Sequence, residues 1–559
     1  MTAEKVPADE ASGIAAAAEV PDRAAKATKV PDRAAKAADS RAAVEDDPHW
    51  LPLHRDSLKV TALLTAGGAF SAGVPTVIGV ASATSWTIAL AWVLPATALL
   101  TAAVTAFDAL RLRVTRYRMT EGRLEMNSGL LFKRHRSFAL ERIRSVDLSA
   151  HPLLRAFGLV NVKVGTGETG SGSGSSTEQS LVLDPVGRAE GERLRAELLR
   201  RSTVNDGTTN EQRLTTWKTS WVRYGPLSFG TPLLAAALVG GIFQLSDWFG
   251  RGGLPVEIVA DLVDRYGPWR VFGIGVVAFV VAGAIGSLAV QAEAYWNHRL
   301  DREPGGTLRV QRGLLVARSL SLEEQRIRGI EIVEPIGIRS ASAARLDVIA
   351  IGLKTDEPGS DLSTLVPAAP RDVILAAAAA VRGPLGSAEL VGHPRTARTR
   401  RLRWAGVVAL VIATVVALAH LLWSMPTFWS SVIVIVAALL AIGAGWLAVD
   451  AYAALGHALE GKHLVARQGS VRRSTVYLDR AGIIGWRISQ SVFQRRLGLM
   501  TLDATTAAGR GHYAVIDADA HTILDFADAA VPGLLAPFLE RLPEPTAQVS
   551  AGVDSPSPR

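Results

Sequence analysis

The sequence predicts helical hairpins that cross a membrane, alternating with copies of a β-rich domain. Two observations carry this reading. Apolar residues gather in six blocks, each near the length that crosses roughly 30 Å of hydrocarbon as a helix. One strand-like pattern ending in glycine recurs after each pair of blocks.

The blocks pair as 60–80 with 86–107, 225–244 with 269–290, and 404–423 with 430–449. Trp86, Trp269, Trp404, Trp423 and Trp429 stand at block ends, where indole rings favour the interface. Two pairs have short connections and read as tight hairpins. The connection 245–268 is longer and carries Asp247, Glu257, Asp261 and Asp264 against Arg251 and Arg265. Basic residues flank the outer ends: Arg55 and Lys59; Arg111, Arg113, Arg116 and Arg118; Lys218 and Arg223; Arg299 and Arg302; Arg398, Arg400, Arg401 and Arg403. The hairpin tips are nearly free of them. The positive-inside rule then puts both termini and all long loops in the cytoplasm. High Arg and Ala with little Lys suits a GC-rich bacterial genome, hence a multi-pass protein of a bacterial plasma membrane. The spans hold almost no polar groups at mid-membrane, which argues against a transporter or lipid-translocating path; Gln244 and His420 lie near span ends.

None of the 559 residues is cysteine, so disulfides, thiolate chemistry and cysteine-ligated metals are excluded. A net charge of +8 fits basic loops beside anionic lipid better than nucleic acid. Residues 1–54 contain a direct Val-Pro-Asp-Arg-Ala-Ala-Lys-Ala repeat, beginning at Val20 and Val30, and no apolar run. They read as a disordered arm, and 543–559 as a disordered tail.

The repeated pattern runs Tyr117 to Gly129, Gly306 to Gly313 and Lys462 to Gly469, each an alternating strand closed by a glycine suited to a positive-φ turn. Fourteen residues after each glycine stands an isoleucine: Ile143, Ile327 and Ile483. Gly158 and Gly498 follow Gly129 and Gly469 by twenty-nine residues, within Arg155-Ala-Phe-Gly-Leu159 and Arg496-Leu-Gly-Leu499. The middle copy has Ala344-Arg-Leu-Asp-Val348, without the glycine and at a shifted spacing. A closing helix is expected in each copy: from Asp184-Pro185 through 194–199, over 371–381, and over 526–542.

The Tyr117-Arg-Met-Thr strand, the Gly-Leu-Leu … Leu-Glu-Arg-Ile-Arg segment and the Arg-x-Phe-Gly-Leu segment, triplicated beside paired spans, resemble the bacterial pleckstrin-homology-like membrane protein family. In architecture the chain is similar to its YdbT-like members, with several such domains. The resemblance covers roughly residues 55–542. It implies PH-like domains, each two packed antiparallel sheets with a C-terminal helix, no known enzymatic activity, and a link to envelope stress or antimicrobial tolerance. The organisation expected is a hairpin at 55–110, a PH-like domain at 111–203, a linker at 204–224, a hairpin at 225–292, a second domain at 293–390, a basic linker at 391–403, a third hairpin at 404–450 and a third domain at 451–542.

Gly165-Thr-Gly-Glu-Thr-Gly170 matches a dinucleotide-loop pattern, but Ser/Gly-rich sequence follows where a helix should start, so no cofactor is expected. His512, Asp517, Asp519 and His521 are explained by strand and turn polarity rather than by a metal. No catalytic constellation is present, and the chain reads as a non-catalytic scaffold. The candidate contacts are basic: Lys133, Arg134, Arg136, Arg142 and Arg144 in the first copy, Arg326 and Arg328 in the second, Arg472 and Arg473 in the third. The partners they suit are membrane lipids with anionic headgroups, or another PH-like membrane protein. The bland reading of the same residues is a solvated face that sets topology.

Overall fold

The computed structural model describes residues 50–120, 122–130, 132–140, 143, 145–165, 180–200, 212–228, 230–303, 306–353, 363–386, 389–423 and 425–538. The expected arm and tail lie mostly outside these residues.

Chain order repeats one scheme. Strand β1 (Leu51–Pro52) precedes a hairpin of α1 (Ser57–Ala83) and α2 (Trp86–Val114). The turn between the helices is closed by Ser85, whose side chain accepts from the Ile88 amide. Strands β2 (Arg116–Met119), β3 (Arg123–Ser128) and β4 (Arg134–Ala139) then form an antiparallel sheet with β1. Strand β5 (Ser145–Ala150), short helix α3 (Pro152–Ala156), β6 (Leu159–Gly165), β7 (Ser180–Gly187) and α4 (Arg188–Arg200) complete the first domain.

The second unit has β8 (Gln212–Thr216), helices α5 (Thr231–Trp248), α6 (Leu254–Tyr266) and α7 (Pro268–Tyr295), and strands β9 (Arg299–Glu303), β10 (Thr307–Arg312) and β11 (Ala317–Glu323). Then come β12 (Ile327–Pro335), α8 (Ile336–Ser340), β13 (Ala343–Ala350), β14 (Thr364–Pro370) and α9 (Arg371–Arg382). The third unit has the hairpin α10 (Arg395–Leu422) and α11 (Thr427–Ala453), followed by β15 (Gly456–Glu460), β16 (His463–Gln468) and β17 (Arg472–Asp479). It ends with β18 (Ile483–Ser489), α12 (Val492–Arg495), β19 (Leu499–Thr506), β20 (His512–Asp519) and α13 (Ala520–Ala530). Helices plus repeated β-rich domains are what the sequence predicts.

Among the described residues five helices, α1, α2, α7, α10 and α11, are long and apolar enough to cross a membrane. The expected span 225–244 is the exception. Helix α5 begins at Thr231, and its 18 residues reach about 27 Å at 1.5 Å per residue. The start is displaced because Trp221 and Tyr224 are buried in the core of the second domain. The connection expected after it holds a helix, α6, whose residues are nearly all exposed. Residues 212–224, expected as linker, instead supply β8 and a 3-10 turn, and β8 adds to the next sheet by pairing with β9.

Gly129, Gly313 and Gly469 occupy equivalent turns, with φ of 109°, 109° and 91°. A Cβ at these positions would lie 2.0, 1.9 and 2.2 Å from the carbonyl oxygen three residues on, so only glycine fits. The second positive-φ position is also threefold. Gly158 (67°) and Gly498 (66°) are matched by Ser342 (52°), twenty-nine residues after Gly313. The middle copy therefore keeps the spacing that its sequence seemed to lose. In each copy the carbonyl of this residue accepts from the amide opening the closing helix: Arg188, Arg371 and Ala520. Two of the three expected closing helices start elsewhere. Asp184 and Pro185 lie within β7, which stays paired with β6 to Gly187. Helix α13 starts at Ala520 because the Asp519 carboxylate caps it, accepting from the His521 and Thr522 amides.

The sheets do not stop at domain borders. β7-β6-β5 of the first domain continues through β11-β10-β9-β8 of the second as one seven-stranded sheet, and β14-β13-β12 continues through β17-β16-β15 as a six-stranded one. β1–β4 and β18–β20 are the smaller sheets at the two ends.

Candidate membrane-surface site

Strand β2 starts two residues after α2 ends, so the Arg116 end of its sheet is the end nearest the membrane. Arg116 faces Asn127, and Ser128 faces Arg134. The β3–β4 turn therefore lies beside the exit of the hairpin. Its Phe132 is 80% exposed and Leu130 also projects into solvent. Lys133, Arg134 and His135 follow and are exposed, and Arg136 is half-buried. Among the described residues no ion pair joins Lys133, Arg134 or Arg136 to a carboxylate. An apolar tip and exposed cations thus stand together beside the end of an apolar helix.

The corresponding turn of the second domain also exposes Leu314 and Leu315. It is tied to its helix: the Glu293 carbonyl accepts from the Leu314 amide, and the Glu293 carboxylate from the Val316 amide. In the third domain Asp450, near the end of α11, accepts from the Ser470 hydroxyl at 2.6 Å and pairs with Arg473 at 2.9 Å. Asp108, nearer the middle of the last turns of α2, instead accepts from Thr61 at 2.8 Å and lies 3.5 Å from Arg111.

The other basic candidates are placed differently. Arg142 and Arg144 lie outside the described residues. Arg326 pairs with Glu323. Arg328 packs its aliphatic stem on Gly482, at the seam between the second and third domains. Arg472 reaches Glu331 at 3.6 Å and Asp347 at 3.7 Å across the same seam. Arg339 joins Arg473 on Asp450, at 3.0 Å. Arg326, Arg472 and Arg473 thus meet carboxylates; among the described residues Lys133, Arg134 and Arg136 do not.

A second basic feature was not evident in the sequence. At the membrane-proximal end of the first seam, a cavity of about 260 Å³ is lined by Arg155, Arg188, Arg309, Arg312 and Arg318, with Glu192 and Trp296. Arg309 pairs with Glu192 and Glu303, each at 3.2 Å, Arg155 donates to the Leu314 carbonyl at 2.9 Å, and Arg312 lies over the Tyr295 ring. Arg188 and Arg318 make no ion pair among the described residues. Burial lifts the nearby Asp147 carboxyl above its ordinary range, opposed by Arg318, Lys163 and Arg312. The alternation Arg309, Gln311 on β10 was the available signal, but the cavity needs α4 and β5 from the preceding domain.

The remaining sequence candidates have structural partners. Asp517, at φ 61° and fully buried, accepts from Arg400 at 2.6 and 2.7 Å and from Gln494 at 2.9 Å, and pairs with Arg401 at 3.3 Å. Two arginines expected to mark topology thus clamp α10 to the third domain. His420 lies 3.2 Å from the Ser430 hydroxyl across the hairpin tip. Beyond Gly165 the glycine-rich loop falls outside the described residues.

The family model for the bacterial PH domain matches the chain twice, at residues 70–202 and 401–531. The chain carries bacterial PH domains. Each match starts within the first helix of a hairpin and runs through the β-rich unit behind it. The middle β-rich unit lies outside both matches yet has the same strand order, turn glycine and positive-φ residue. Searches of curated proteins and of solved structures found no match.

Proposed function

We propose that this protein is a non-catalytic scaffold of a bacterial plasma membrane, with its PH-like domains on the cytoplasmic leaflet and the first domain holding anionic lipid. The observation that supports the reading is the first-domain tip: exposed Phe132 and Leu130 next to Lys133, Arg134 and Arg136, which make no ion pair among the described residues, beside the exit of α2. The segment 111–201 adds to it, with 17 Lys/Arg against 10 Asp/Glu. The arginine-lined seam offers a second place for a phosphate. The YdbT-like resemblance extends the proposal to envelope stress or antimicrobial tolerance.

The test is lipid retention. Full-length protein is extracted in mild detergent and its co-purified phospholipids are quantified. Each basic residue near an anionic surface contributes about 1 kcal/mol, so Lys133→Gln, Arg134→Gln and Arg136→Gln together should cost about 3 kcal/mol and strip most retained anionic lipid. Zwitterionic lipid should be unaffected. Equal anionic lipid on wild type and triple variant would refute the proposal.

A further inference from the structure

Neighbouring domains within the chain join by one rule. The strand after the turn glycine pairs antiparallel with the strand that follows the conserved-spacing isoleucine of the preceding domain: β11 with β5, and β17 with β12. The register is the same at both seams. Ala317, four residues after Gly313, faces Ala150, seven residues from Ile143. Arg473, four residues after Gly469, faces Glu334, seven residues after Ile327.

This rule leaves one strand of each kind over. β4 and β18 are outer strands of their sheets. β18 shows what a missing neighbour does to burial. Ile488 is 42% exposed, whereas Leu148 and Ile332, at the same place in the two seams, are 5% and 4% exposed. Ile484 is 67% exposed. An open strand edge with exposed isoleucines is a template for another strand.

We propose that β18 of one copy of this chain pairs with β4 of a second copy, in the register already used twice inside the chain. That register sets Arg134 against Ser489, His135 against Ile488 and Ser137 against Trp486. It also agrees with the membrane. Arg134 lies beside the exit of α2, and Ser489 just before α12, whose Phe493 packs edge-on against Trp404 of α10 at 6.2 Å. Both are membrane-proximal ends, so two chains in one bilayer meet at the same depth. Arg136 falls opposite Arg487, whose charge is already met by Asp503 at 2.8 Å. Each copy presents β4 on one side and β18 on the other, so the contact is head-to-tail and continues into a ring or a row. The gain is the main-chain hydrogen bonding of strand addition plus burial of Ile484 and Ile488.

The chain has no cysteine, which makes disulfide trapping clean. Directly opposed antiparallel residues have Cα atoms about 4.5–5.5 Å apart, within disulfide reach. Full-length chain carrying His135→Cys and Ile488→Cys, oxidised in native membranes, should give a ladder of dimers and higher species that collapses on reduction. His135→Cys with Ile484→Cys, four residues out of register, should give at least tenfold less. Monomer alone, an internal disulfide without a ladder, or equal ladders from both pairs would overturn the proposal. Counting copies of the fluorescently labelled cysteine-free chain by stepwise photobleaching is the second measurement. Wild type should show several copies per spot and Ile484→Lys with Ile488→Lys mostly one; single copies in wild type would equally overturn it.

Discussion

Replacing Asp517 by asparagine should loosen the joint between the third hairpin and its domain. The substitution keeps the shape and tolerates the positive φ, and removes only the charge. It leaves Arg400 and Arg401 facing a buried amide. Breaking a buried ion pair from one side costs about 3–5 kcal/mol. Arg400 and Arg401 keep 23% and 20% of their side-chain surface in solvent, so water partly replaces the lost partner and the lower end, about 3 kcal/mol, is expected. Local opening should then rise about a hundredfold, at 1.4 kcal/mol per decade. Hydrogen–deuterium exchange of the full chain in detergent reads this directly at residues 391–401 and 512–519. Adding Arg400→Met and Arg401→Met should recover most of the protection, because no buried charge remains unpaired. A loss of protection below threefold, or no recovery in the triple variant, would refute the clamp.

The two positive-φ positions should respond oppositely to side chains. Ser342→Gly relieves a left-handed serine and should raise thermal stability by about 0.5–1 kcal/mol, whereas Gly313→Ala meets the Val316 carbonyl and should cost more than about 2 kcal/mol; equal effects would contradict the geometry. Burial, then the neighbouring His393, pushes the His457 imidazole down to about 4, and burial does the same to His298. The folded state thus binds fewer protons than the unfolded one, so stability is full above about pH 6.5 and falls as pH drops from there towards 4, by about 3 kcal/mol per histidine at most. A His457→Gln variant with an unchanged pH profile of thermal unfolding would exclude that histidine. Reporters fused after Thr203, Ala388 or Arg559 should read cytoplasmic and one at Gly253 external; a cytoplasmic Gly253 would reverse the orientation argued from the arginines.

What could be read in advance depended on whether the cause was local. The turn glycines were legible because a Cβ there collides with a carbonyl three residues away, so no other residue survives. Ser342 was not, because nothing lies within 4 Å of a Cβ at its counterparts Gly158 and Gly498, and a serine fits for the backbone cost alone. The apolar helices were legible from composition. The true start of α5 was hidden because Trp221 and Tyr224, just before the expected span, are held in the core of the second domain, which composition does not reveal. Strand β8 is short and polar, and only its pairing with β9 makes it a strand. Arg472 and Arg473 read as surface charge because the carboxylates that meet them, Glu331, Asp347 and Asp450, come from other elements. For Lys133, Arg134 and Arg136 no such carboxylate stands among the described residues.

The continuous sheets also impose an order on biogenesis. Strand β5 leaves the ribosome before the second hairpin, and its partner β11 leaves after it. The seven-stranded sheet therefore cannot close until α7 has been threaded into place, and the same holds for β12, β17 and the third hairpin. Until then each nascent chain carries one unlatched strand, open to the wrong neighbour on a crowded polysome. Once latched, the sheets act as crossbars, and their hydrogen bonds help set the spacing between hairpins.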